Sequence, residues 1–296
     1  MRIEGVEIED TFAEAFEMYA ARALITAKNE RLAMSSAISM TGFATSVIMC
    51  GCEAGIESEV LPEETPDGRP GINVLFFATS KKDLDGQLFK RVSQCVLTSA
   101  TTACFNNLTG EEKISIGGKL KYFGDGHQVS RSIGERKMWI IPVMEGEFAV
   151  EEEFDIIRGV GGGNFLILGR DIDCVLEASE KAVEAIKKVK GVIAPFPGGI
   201  VRSGSKIGSQ YDFLDVSTNT AYCPTLKSTV GSKLPEEVNS VLEIVLDGLD
   251  AEGVYESMRE GIKAACTVEG IIKITAGNYG GKLGKHLINL HEVVIE

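Results

Sequence analysis

Positive charge is scarce in this chain: thirty lysines and arginines face forty-three aspartates and glutamates, a net charge of -13 over 296 residues. The bases form no run long enough to offset that excess, which argues against a polynucleotide or an anionic lipid surface as partner. Histidine is scarcer still. His127, His286 and His291 are dispersed, and the last two, near a C-terminal strand, would point to opposite faces, so no structural metal is expected. The seven cysteines are an odd number with no framework, and Cys50 and Cys52 have one residue between them rather than the two of zinc or redox motifs, so reduced thiols are expected. No apolar run reaches the length of a membrane span, and the opening MRIEGVEIED has acids where a signal peptide needs an apolar core. These absences leave a globular, cytoplasmic protein with neither a membrane nor a nucleic-acid partner. Its acidic surface repels itself, so added salt should favour compaction and association, and a salty interior is expected.

What the chain does have is a repeat. Residues 165 to 193 lie without a gap on 244 to 272, matching at Gly169/Gly248, Asp171/Asp250, Val175/Val254, Glu177/Glu256, Ala185/Ala264, Val189/Val268 and Gly191/Gly270. Each copy reads as strand, helix, strand: 164–170, 172–190 and 192–194, then 241–247, 251–269 and 271–275. Each runs into a glycine-rich loop, APFPGGIVRSGSKIGS and AGNYGGKLGKH. Two such units form a split βαβ pattern.

The first half is less regular. A strand near 3–8, a helix over 12–27 behind an Asp10-Thr11 cap and a second helix over 28–40 are expected. A strand at 46–50, a turn at 65–71, a strand at 72–79 and a helix over 81–97 follow, with strands near 119–123 and 137–143. The chain is therefore expected to be α+β with two ferredoxin-like split βαβ lobes, 1–148 and 149–296, each a sheet covered by helices on one face.

Several motifs carry both a chemical and a plain reading. The stretch Gly199 to Lys206 nearly spells a phosphate-binding P-loop, but serine precedes lysine and the following IGSQYDFL reads as extended. GVGGGN (159–164) precedes a strand instead of following one, so it reads as a turn. Arg202 and Lys206 in one loop, and Lys282 and Lys285 in the other, suit an anionic small molecule or are simply solvated. Glu243 sits in VLEIVL with apolar neighbours on both faces. It is either partnered or desolvated, and if desolvated suited to acid–base work near neutral pH, or it lies at a strand end reaching water. Cys50 and Cys95 read as small buried hydrophobes before nucleophiles. Phe43, Phe196 and Tyr279, each beside glycine or proline, could stack on a flat heterocycle or pack in turns.

Longer strings say more. IEDTFAEAF (8–16), SVIMC with AGIE (46–57), TPDGRPG (65–71), QCVLT (94–98), FGDG (123–126), IPVMEG (141–146), GVIAPFPGGIV with SGSK (191–206) and AGNYGGKLGK (276–285) closely resemble the formylmethanofuran:tetrahydromethanopterin formyltransferases, from end to end. The resemblance implies an archaeal-type one-carbon enzyme moving a formyl group from the amine of methanofuran to a ring nitrogen of tetrahydromethanopterin. It implies no metal or prosthetic group, and a homotetramer with clefts at subunit contacts and a dependence on salt. Glu243 matches the position of the family's acid/base glutamate. The N–H groups of Gly198, Gly199, Gly280 and Gly281, with Ser203, Asn278 or Lys206, become candidate oxyanion donors. The substrates' carboxylates and phosphate give Arg202, Lys206, Lys282 and Lys285 a purpose, and Phe196 and Tyr279 become candidate stacking residues.

Overall fold

The computed structural model of the protein describes residues 1–295. The chain begins with β1 (Val6–Ile8) and β2 (Phe12–Thr26), followed by α1 (Glu30–Thr41), β3 (Glu53–Val60), β4 (Gly71–Ala78), α2 (Lys81–Arg91) and β5 (Ala103–Asn106). Next come β6 (Arg136–Val143), β7 (Gly146–Glu151) and the long β8 (Glu153–Gly169). The repeat supplies α3 (Ile172–Ile186), β9 (Val192–Ile193), β10 (Ser240–Gly248), α4 (Ala251–Cys266) and β11 (Ile271–Thr275).

Two compact units form, one of Met18–Gly159 and the other of Met1–Glu17 with Val160–Glu296. They do not exchange at a single point near 148, which falls inside β7. In the Met18–Gly159 unit the order is β3-β4-β2-β5-β7-β6, antiparallel throughout except for β5 with β7. Ala23, Ile25, Val74 and Phe76 face Ala37 and Met40 of α1 and Leu84 and Leu88 of α2. Leu24 and Phe105 pack on the opposite face with Met138 and Ile140.

In the other unit the order is β9-β10-β8-β11-β1, antiparallel except for β11 with β1. Phe165 and Ile167 of β8 and Ile244 and Leu246 of β10 pack on Val175 and Ala178 of α3 and Val254 and Met258 of α4. Leu166 and Leu168 lie on the face turned away from the helices, with Val238 and Val241. Register is specified because a slip of one residue would carry every core side chain to the wrong face.

The matched positions of the repeat prove to be packing devices. Asp171 and Asp250 cap α3 and α4, accepting from the N–H groups of Cys174 at 3.0 Å and Gly253 at 2.8 Å; such caps are worth about 1 kcal/mol each. A Cβ on Gly169 would lie 2.5 Å from Val175, and one on Gly248 would lie 2.7 Å from Val254, so each repeat glycine admits its own repeat valine. Gly191 and Gly270 both turn with positive φ, +79° and +96°.

One register is shared by the two units. Leu166 pairs with Glu243, seven residues before the Asp250 cap, and Leu24 pairs with Asn73, seven residues before the Ser80 cap. Asn73 is buried in a closed network, donating to Ser58 Oγ at 3.2 Å and accepting from Asn107 Nδ2 at 2.8 Å.

Four expectations for local structure differ from what forms. Residues 12–26 are a strand, not a helix: in the middle of a sheet with Ala13, Ala15, Ala20, Ala21 and Ala23 fully buried, both faces are apolar and the helical spacing of Phe12, Phe16 and Tyr19 is incidental. Val47–Cys50 is a short helix because Ser46 caps the Ile48 N–H and Gly51 closes it in the left-handed region. Gly117–Leu120 and Lys121–Gly124 are helical turns where a strand is expected. GVGGGN lies inside β8, where the strand continues through a bulge with Gly162 at φ +85°.

The glycine–valine contacts yield a direct test. Gly169→Ala should destabilise the protein by about 1–3 kcal/mol, read as a fall in the denaturant midpoint. Adding Val175→Ala should recover part of the loss; strictly additive effects would show that the two side chains do not compete for that space.

Candidate active site

The site grows from the strand β10. Alternation turns Leu242, Ile244 and Leu246 toward the helices, which leaves Val241, Glu243 and Val245 on the other face. The loop after β9 returns along this strand. Val201 donates to the Glu243 carbonyl at 2.7 Å and accepts from its N–H at 2.9 Å. The loop comes this close because Gly199 turns at φ +77°, where a Cβ would meet Val183 at 2.9 Å. Gly204, at φ +41°, then sits beside the Glu243 carboxylate, its Cβ direction ending 4.0 Å from Oε2.

Glu243 is half-buried as a residue, yet its carboxyl is pushed up to about 7 by burial alone. No hydrogen bond reaches that carboxylate from the described residues, nor does any cation offset the burial. Its surroundings favour the desolvated reading, while its oxygens keep some contact with water. The neighbouring titratable group is Tyr279, whose phenol is raised by burial, then by the charges of Glu243 and Glu14, against a hydrogen bond with Ser205. The Tyr279 ring packs on Phe16, centroids 6.1 Å apart and tilted by 49°.

Glu14, from the start of β2, holds the second glycine loop. Only 1% exposed, it accepts from Tyr279 N at 2.7 Å and Gly281 N at 2.8 Å on one oxygen, and from Leu283 N at 2.6 Å and Gly284 N at 2.7 Å on the other. Burial works to raise its pKa, but the four N–H groups together outweigh that and hold it below the usual carboxylate range.

The expected residues divide accordingly. Glu243 and Tyr279 come together, with Gly204 and Ser205 between them. Phe196, Arg202 and Ser203 line a groove of about 710 Å³ with Ile172, Leu176 and Ile200. Gly198, at φ +68°, has open space around its Cβ direction. Several expected oxyanion donors are already engaged: Gly199 N donates to Phe196 O at 2.7 Å, Gly280 N to Asn278 Oδ1 at 3.1 Å, and Gly281 N to Glu14. Asn278 ties the loop down, its Nδ2 donating to Phe12 O at 3.1 Å. Lys285 pairs with Glu17 at 2.7 Å, Lys282 is exposed, and Lys206 sits half-buried in a short hairpin formed by Ser205–Ile207 and Val216–Thr218. The sequence reading does not single out Glu14, Phe16 or Ser205 as site residues; an acid amid alanines was the available signal for Glu14, hidden by the helical reading of that stretch.

Among the described residues no cluster of three or more His, Cys, Asp or Glu is placed to hold a metal ion, and no helix is long and apolar enough to cross a membrane.

Known proteins share this fold. The profile described as formylmethanofuran-tetrahydromethanopterin formyltransferase matches residues 1–143, and that described as FTR, proximal lobe, matches 146–293. The formylmethanofuran–tetrahydromethanopterin formyltransferase of Methylococcus capsulatus is 54% identical over 99% of this chain and 100% of its own length. That of Methanothermobacter thermautotrophicus is likewise 54% identical, with the same coverage. The solved formyltransferase of Methanosarcina barkeri superposes with a TM-score of 0.95 at 51% identity, over 99% of this chain and 100% of that one. A chain of the formyltransferase/hydrolase complex of Methylorubrum extorquens, solved with methylofuran, gives 0.97 at 49% identity over 99% and 98%. Bacteria and archaea both appear, a wider range than the archaeal setting the resemblance implies. Matched along nearly its whole length, this chain belongs to the formylmethanofuran–tetrahydromethanopterin formyltransferase family.

Proposed function

We propose that this protein transfers a formyl group between formylmethanofuran and tetrahydromethanopterin, and that Glu243 moves the protons. The observation that carries the reading is a carboxyl without a hydrogen-bond partner, raised to about 7 and flanked by two glycine loops. The substrates come from the names of the relatives. Attack of an amine on the N-formyl carbonyl requires the attacking nitrogen to lose a proton and the departing nitrogen to gain one. A single group does both best when its pKa lies near the working pH. Ionised Glu243 takes the proton as the C–N bond forms, and returns it to the leaving nitrogen as the tetrahedral intermediate collapses. The Gly198 N–H and the Ser203 hydroxyl are the donors we assign to the oxyanion, and Phe196 stacks on a substrate ring. Arg202, Lys206 and Lys282 hold the anionic tails.

The strand order of both units supports a ferredoxin-like split βαβ fold used twice, since in each an antiparallel strand separates two parallel ones. The two profiles meet between residues 143 and 146, which suits a sequence division into lobes 1–148 and 149–296. The excess of acids suits a salt-dependent homotetramer in the cytoplasm.

Four outcomes test this reading. Glu243→Gln should lower turnover by roughly 10²- to 10⁴-fold with an unchanged circular-dichroism spectrum, and full activity would remove Glu243 from the mechanism. The wild-type rate should rise as pH increases through about 7, where Glu243 becomes the ionised base. Stability should run the other way. A carboxyl raised in the folded state favours folding when protonated, so wild-type stability should decline by about 1–3 kcal/mol as pH rises from the unfolded value through the folded one. Chemical denaturation of Glu243→Gln should lack that decline. Finally, alkylation of accessible thiols should leave transfer intact, whereas a trapped formyl-cysteine would establish an acyl-enzyme route.

A further inference from the structure

Glu14 is a buried acid for which the transfer reaction has no direct use, and it is the most fully hydrogen-bonded carboxylate in its loop environment. Its four donors come from residues 279, 281, 283 and 284, all on one short segment. Successive N–H groups converging on one anion form a nest, and such nests elsewhere bind external phosphates or carboxylates. Here the chain supplies its own anion. Gly280 and Gly281, at φ +74° and +71°, let the backbone curl around it, and a Cβ on Gly284 would strike Ala15 O at 2.4 Å and Glu14 Cγ at 2.8 Å.

The first residue of that segment is Tyr279. Its N–H is held by Glu14, its ring lies against Phe16 two residues further along β2, and its hydroxyl reaches Ser205. Ser205 follows Gly204, the residue beside Glu243 Oε2. A chain of contacts thus runs from Glu14 through Tyr279 to the carboxyl at the centre of the site. We propose that Glu14 is a positioning residue: by gripping the 279–284 segment it fixes Tyr279 beside Glu243 and keeps water from that side of the reacting carboxyl. This rests on the reading of Glu243 as the group that handles the proton.

The groups that could otherwise govern Glu243 are few. Arg202 and Lys206 on the loop crossing its strand, and Lys282 and Lys285 on the second loop, add no charge effect to its carboxyl, while Tyr279 is the titratable neighbour that feels its charge. Burial is the cause of its raised proton affinity, so a change in that burial should change the affinity.

The test is Glu14→Gln in the full-length protein. Whichever way the amide turns, two of the four N–H groups then face an NH₂, so the loop should loosen without loss of side-chain volume. The Glu243 carboxyl band, identified by infrared difference against Glu243→Gln, should titrate at least about one pH unit below the wild-type midpoint, as expected for a carboxyl regaining water. The pH–rate limb should move with it, and turnover at the wild-type optimum should fall about tenfold or more. An unchanged Glu243 midpoint in a folded Glu14→Gln, accompanied only by a lower melting temperature, would overturn the proposal and leave Glu14 a structural residue. Should that variant not fold, Tyr279→Ala removes the cover directly: the same downward shift supports the inference and an unmoved midpoint refutes it. Because the infrared titration needs no turnover, it separates this inference from the mechanism. A fully active Glu243→Gln would end the proton role of Glu243 while leaving the positioning result to stand or fall on its own.

Discussion

Desolvation of a single carboxyl, that of Glu243, is the constraint around which the rest of the site is arranged. A carboxyl set among backbone and side chains that offer it no donor is expensive to ionise, and the local backbone holds it there. The strand β10 presents it on the face turned away from the helices, opposite Leu166. The crossing loop is brought down by two main-chain hydrogen bonds to Glu243 itself and by glycines that tolerate positive φ. Glu14 shows the opposite treatment within the same unit. It is only 1% exposed, yet four N–H groups replace its water and keep it an anion. Two carboxylates, one without donors and one saturated with them, are thereby given opposite shifts in proton affinity by their surroundings.

The rigidity this requires comes from the repeat. Asp171 and Asp250 begin the helices at matched points, and Gly169 and Gly248 let each strand end nest against a valine one turn into its helix. These are short-range constraints between residues close in sequence, which is why the two copies can be aligned by eye and why α3, α4 and their flanking strands are legible from composition and spacing. The candidate site was legible in part for the same reason: an acid in a run of aliphatic residues signals a conflict that only burial or a partner can resolve.

What was not legible depended on contacts distant in sequence. The stretch Phe12–Thr26 is rich in alanine, the best helix former, and a strand covered on both faces shows no polar alternation to contradict a helical reading. Misplacing that strand also hid Glu14, since its meaning lies wholly in donors some 270 residues away. The glycine loops were recognised as special, but their N–H groups were counted as free. Gly199, Gly280 and Gly281 in fact hold the loops together, and the conformation that makes a glycine loop look like a ligand cradle also lets it bind its own chain.

The register shared by Leu166 with Glu243 and Leu24 with Asn73 bears on where stability is lost and where it is gained. The same register position holds an acid with a raised pKa in one unit and a neutral amide, bonded to Ser58 and Asn107, in the other. Only one of the two positions therefore carries the cost of a carboxyl without donors. The amide position, satisfied within its own unit, adds stability where the acid position costs it.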